Sequence, residues 1–107
     1  MSQFTATLLE RTSVHTAFIR IKVDPAAADQ VAQAMLTLTA PTLAEPGCHT
    51  YEFYRDNDDP SLFLCFEHWD SRQALDDHGS TPHVRAFLTE FGPHIQVWEQ
   101  NHTTALA

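Results

Sequence analysis

The 107 residues predict one α+β domain of the ferredoxin-like, split βαβ kind, an antiparallel four-stranded sheet with its helices on one face. Three observations carry this expectation. Asp24-Pro25 and Thr81-Pro82 each open an amphipathic helical stretch. Two aromatic-rich extended segments lie between them, on either side of Asn57-Asp58-Asp59-Pro60. One further extended segment stands at each end of the set, at 14–23 and 94–100. The order is then β-α-β-β-α-β, and right-handed crossovers put every helix on the same side of the sheet.

Residues 1–13 read as an N-terminal arm, polar and without a clear period. In 14–23, His15, Ala17, Ile19, Ile21 and Val23 alternate with Thr16, Phe18, Arg20 and Lys22, the pattern of a half-buried strand. Asp24 can cap the free N–H groups of a helix, and Pro25 loses nothing at its first position. Ala28, Val31, Met35 and Leu38 form its apolar stripe, and Pro41 is expected to end it near Thr39 or Ala40.

Cys48–Asp56 and Ser61–Asp70 then form a hairpin. A four-residue loop at 57–60 sets Phe53 opposite Leu64, Tyr51 opposite Phe66 and His49 opposite His68. That register puts Phe66 and His68 under the helices, and Phe63, Glu67 and Trp69 on the bare face. A one-residue slip would reverse it. Asp70 and Gln73 suggest a cap for a short helix ending at Gly79. The helix after Thr81-Pro82 carries Val84, Phe87, Leu88 and Phe91 on one side, and Gly92-Pro93 stops it. In the last strand Ile95 and Val97 are expected to face the helices and Trp98 the bare side. Residues 14–100 thus make the domain and 101–107 a C-terminal tail.

Six basic against fourteen acidic side chains give a net charge of −8, which repels phosphate backbones and anionic lipids, so neither nucleic acid nor membrane is expected as a partner. No apolar run approaches the roughly 18 residues of a membrane span. No secretory signal is visible at the N-terminus, and Cys48 and Cys65 read as reduced thiols of a cytoplasmic protein. Aromatic residues on the bare sheet face predict a homodimer.

Seven histidines invite a metal, yet no His-Glu-x-x-His, His-x-His or Cys-x-x-Cys spacing occurs, and no metal or other cofactor is assigned. Glycine-rich phosphate loops are absent as well. What remains is a pocket between sheet and helices, walled by Tyr51, Phe53, Phe66, Met35 and Phe87, with His49, His68, His78 and His83 near its rim.

Glu45-Pro46-Gly47-Cys48, Tyr51-Glu52-x-Tyr54-Arg55-Asp56 and Asp59-Pro60 open an ordered series of motifs. Phe63-x-x-x-Glu67-x-Trp69-x-Ser71-x-x-Ala74-Leu75-x-x-His78, Thr81-Pro82-His83 and Phe87 continue it. In this order and spacing the chain resembles the antibiotic biosynthesis monooxygenase domain over about residues 14–100, especially its small quinol-monooxygenase-like branch. The resemblance implies a dimeric α/β barrel of two ferredoxin-like subunits packed sheet to sheet. It also implies cofactor-independent oxygenation of an electron-rich aromatic, such as a quinol or anthrone, by molecular oxygen. His78 and His83 are then the candidates for base or orienting group. Tyr51, Trp69 and Arg85 are candidates to hold an oxygen. His49, Phe53, Phe66, His68 and Phe87 complete the expected substrate-binding set. Two other readings stand beside this one: a non-catalytic dimeric ligand-binding or stress-associated module, and a small-molecule isomerase.

Overall fold

The computed structural model describes residues 14–106. Its strands are β1 (His15–Val23), β2 (Cys48–Arg55), β3 (Leu62–Trp69) and β4 (Ile95–Thr103), and its helices α1 (Ala28–Leu43), α2 (Arg72–His78) and α3 (Pro82–Phe91). The sheet is antiparallel in the order β2-β3-β1-β4, the ferredoxin-like arrangement, with the helices on one face. Among the described residues no helix is long and apolar enough to cross a membrane.

The alternation in β1 is the backbone of the core. Ala17, Ile19, Ile21 and Val23 are buried against Val31, Met35 and Leu38 of α1. Asp24 accepts a hydrogen bond from Ala26 N, and a single 3-10 turn over Pro25–Ala27 leads into α1. Pro41 does not stop that helix, which runs to Leu43. Leu38 and Thr42, one turn apart, are both buried, so packing holds the last turn despite the N–H that proline lacks. Gly47, at φ +83°, then swings the chain into β2; a Cβ there would lie 3.0 Å from that of Ala74.

The hairpin differs from the sequence expectation by one residue. Asp56 N donates to Leu62 O, so the loop is the five residues 57–61. Asp56 accepts from the amides of Asp58 and Asp59, and Asp59 accepts from the amide and hydroxyl of Ser61. Two successive aspartate-centred turns take up the extra residue. Tyr51 therefore pairs with Glu67, Phe53 with Cys65 and Tyr54 with Leu64. This turns β3 over. Phe63, Cys65, Glu67 and Trp69 face the helices and are buried, whereas Leu64, Phe66 and His68 belong to the bare face. Near its start β2 bulges at His49, which restores the pairing of Cys48 with Trp69.

A second irregularity, between Lys22 and Val23, reverses part of β4. Ile95 stays beneath the helices, but Val97 pairs with Lys22 on the bare face and Trp98 pairs with Ile21 on the helix side. The strand also continues past Gln100 to Thr103, whose hydroxyl donates to Thr16 O at 2.7 Å. Asn101, His102 and Thr103 thus belong to the sheet. The N-cap of α2 is Ser71, which accepts from Ala74 N, while Asp70 pairs with the exposed His49. Residues 1–13, read from the sequence as an arm, lie outside the described residues.

Candidate active site

Helices α2 and α3 do not close down on the sheet along its whole width, and a half-open cavity of about 320 Å³ is left between them. Its floor is the helix-facing side of three strands: Ile19 and Ile21 from β1, Tyr51 and Phe53 from β2, Cys65 and Glu67 from β3. Leu75 and His78 of α2 and Val84 and Phe87 of α3 form the roof. Trp98, Gln100 and His102 stand at the β4 end. The lining is mostly apolar with a few polar groups converging on it, the usual make-up of a small-molecule site.

His78 is the polar centre of the roof. The last turn of α2 carries it inward, and its ring packs at 5.0 Å from the Trp69 ring and 5.2 Å from the Tyr51 ring, centroid to centroid. Its Nδ1 lies 2.7 Å from Oε2 of Glu45, and the same oxygen is 2.7 Å from Nε2 of His83. An ionised Glu45 accepts from both rings, so His78 holds its proton on Nδ1. The neutral ring then keeps its lone pair on Nε2. Thr81 does not cap α3 with its side chain; its hydroxyl donates to His78 O at 2.7 Å and fixes the approach of the two helices.

Glu67 is the charged group of the floor and is 4% exposed. Its Oε1 accepts from Trp69 Nε1 at 2.9 Å and its Oε2 from the Cys65 thiol at 3.4 Å. Burial pushes its carboxyl above the ordinary value, and the Trp69 hydrogen bond pulls it partly back. The Tyr51 hydroxyl and the Cys65 thiol are held far above their ordinary values, first by burial, so both stay protonated. In this site Tyr51 is therefore a donor.

The structure brings together Tyr51, Phe53, His78 and Phe87 of the expected set on the cavity wall, with His83 behind His78. Trp69 is fully buried beside His78 rather than on the bare face. Phe66 and His68 lie on the opposite side of the sheet, where Phe66 stacks on Phe18, because of the longer hairpin loop. His49 projects from its bulge to Asp70, and Arg85 is exposed on α3; neither lines the cavity. Sequence reasoning missed Glu45, Glu67, Gln100 and His102 as site residues. One signal was available for Glu67: in the Glu67-x-Trp69 step, residues two apart share a strand face, which sets the carboxylate beside an indole donor.

A family model described as antibiotic biosynthesis monooxygenase matches residues 14–90. The Synechocystis protein sll1783, uncharacterized by name, is 40% identical over 68 residues, which cover 64% of this chain and 46% of that protein. Rv0793 of Mycobacterium tuberculosis is 42% identical over 59 residues, covering 55% of this chain and 54% of its own length. The match to this chain spans about half the length of each of these two curated relatives. Among solved structures, PA3566 from Pseudomonas aeruginosa superposes with a TM-score of 0.84 at 28% identity, covering 91% of this chain and 98% of that one. The structure of Rv0793 gives a TM-score of 0.80 at 26% identity, over 89% of this chain and 97% of its own.

Proposed function

Since the chain belongs to the antibiotic biosynthesis monooxygenase family, we propose that it oxygenates an electron-rich aromatic of the quinol or anthrone type by direct reaction with molecular oxygen. The observation that carries the reading is the apolar cavity of about 320 Å³ with His78 in its roof, backed by Glu45 at 2.7 Å. Such a substrate supplies the electrons itself. His78 Nε2 takes the acidic phenolic or benzylic proton, and the imidazolium that forms is stabilised by Glu45, which already holds its Nδ1–H. The substrate anion passes one electron to oxygen, and recombination of the two radicals forms a C–O bond. The resulting peroxide breaks its O–O bond and leaves a carbonyl on the ring, with water as the second product. Tyr51 donates to the oxygen that gathers charge, and Glu67 accepts from a substrate hydroxyl. Aromatic and aliphatic walls keep bulk water from quenching the anion.

An oxygen electrode with a panel of quinols, anthrones and flavonols tests this. Substrate-dependent uptake without added cofactor, with water rather than hydrogen peroxide as co-product, is the expected result. Uptake by no member of the panel would leave the ligand-binding reading in its place.

The working unit in this proposal is a homodimer. On the bare face Phe18, Tyr54 and Leu64 are each more than two-fifths exposed, and the described residues provide no element that covers them. Arg20, Glu52 and Glu99 surround these side chains with both signs of charge. An apolar patch of that kind with a mixed rim suits a second copy related by a two-fold axis. Sedimentation velocity should give a dimer for the wild type and a monomer for Leu64→Lys. A wild-type monomer at micromolar concentration would refute this part.

A further inference from the structure

The geometry assigns a second capacity to the Glu45–His78–His83 cluster: binding of one divalent transition-metal ion of the zinc class. The three groups come from three separate pieces of chain, the segment after α1, the end of α2 and the start of α3. Their ligand atoms all lie within 4.8 Å of one another. Two imidazoles and one carboxylate are the donor set of a three-ligand zinc site that leaves the fourth position open.

Charge supports the same reading. The side chain of Glu45 is only 10% exposed, that of His78 9% and that of His83 23%. Among the described residues Glu45 has no lysine or arginine partner; its partners are the two rings. A buried carboxylate needs a compensating positive charge. A divalent cation held between the three groups supplies it. Ligation needs the three side chains to move. Tetrahedral ligation at about 2.0–2.1 Å sets ligand atoms roughly 3.3 Å apart. The two Glu45–imidazole separations of 2.7 Å must therefore open by about half an ångström, while the two imidazole nitrogens, which lie within 4.8 Å of each other, draw together toward the same spacing. Rotation of the three side chains can supply it.

Occupancy has a chemical consequence. The ion would take Nδ1 of His78, because that is the nitrogen beside Glu45. A neutral ring with metal on Nδ1 carries its proton on Nε2. His78 then becomes a donor and ceases to be a base. A bound ion thus switches oxygenation off. The binding stands independently of the oxygenation reading; only the inhibition rests on it.

The test uses the untagged full chain, stripped with EDTA and dialysed. Titration with Co²⁺, followed by the visible ligand-field bands and by elemental analysis, should reach one ion per chain. Zn²⁺ should displace the cobalt. Glu45→Gln keeps the shape and hydrogen-bonding of the side chain but removes its charge, and should weaken binding at least about tenfold. His83→Ala should do likewise, while His94→Ala, outside the cluster, should bind as the wild type does. Circular dichroism shows that each variant is folded. No saturable Co²⁺ binding by the wild type, or equal binding by folded Glu45→Gln and His83→Ala, would overturn the site. With an active substrate, Zn²⁺ should abolish oxygen uptake and EDTA restore it. Full binding with undiminished uptake would keep the metal site and reject His78 as the base, so the two readings fail separately.

Discussion

Replacing His78 by asparagine is expected to lower kcat for oxygen uptake by about 10²- to 10⁴-fold, the usual contribution of a positioned base, with the fold retained. Asparagine is the informative choice because its side-chain amide can occupy the place of Nδ1–H and still donate to Glu45 Oε2. It keeps the tether between α2 and the segment after α1, yet has no nitrogen able to accept a proton. The packing of His78 on Trp69 and Tyr51 is partly preserved by an amide, whereas alanine would open a hole in a site that is 7% exposed. Glu45→Gln should be milder. It removes the charge that stabilises the imidazolium but leaves Nε2 in place, and it should change kcat more than KM. If His78→Asn oxidises a substrate at the wild-type rate, His78 is not the base. Glu67, a buried proton acceptor on the cavity floor, would then be the next residue to test, through Glu67→Gln.

The largest loss of stability is expected from Trp69→Ala. Trp69 has no exposed surface, and truncating a buried tryptophan costs about 3–5 kcal/mol. That is a large part of the roughly 5–15 kcal/mol that holds such a domain together. The indole also donates to Glu67, so the truncation leaves a buried carboxylate with only the weak Cys65 thiol as donor among the described residues. Trp69→Phe separates the two effects. It keeps most of the packing and loses the donor, for which about 1–3 kcal/mol is expected.

The sign of the pH dependence follows from burial, which raises the Glu67 carboxyl. The native chain binds that proton more tightly than the unfolded chain. Stability from this group is therefore highest in acid and falls as pH rises through the raised native value. Removing the indole donor raises that value further. The Trp69→Phe loss should thus be larger near neutrality than in mild acid, as read from urea midpoints followed by circular dichroism. Equal losses at both pH values would show that the indole–carboxylate bond contributes little.

Much of this protein was legible before any coordinates. Asp24-Pro25 and Thr81-Pro82 mark helix starts because proline at a first turn forfeits no hydrogen bond. Ala28, Val31, Met35 and Leu38 name the buried face of α1, and all four are buried. The alternation of 15–23 identifies the core side of β1. These are local properties, set by the backbone of a few neighbouring residues, and they fix element type and order and hence the ferredoxin-like topology.

The site was legible only in part. His78, Tyr51, Phe53 and Phe87 all lie on the cavity wall, since helix ends and the β2 alternation place them. The expected positions of Phe66, His68 and Trp69 failed together, from one cause. The side chains of a strand repeat every two residues, so a loop of five residues instead of four turns all of β3 over. Two aspartates set that loop length through hydrogen bonds that depend on how the turn closes. The bulge in β4, which brings Trp98 inward, has no counterpart in the residue pattern.

Glu45, His78 and His83 meet across 33 and 38 residues of chain, at a point where the segment after α1 passes the junction of α2 and α3. No spacing rule marks such a meeting. Local sequence determined which elements form and which face of each is apolar. Tertiary structure decided strand register and the convergence of remote side chains, because both depend on how the ends of loops are held in space.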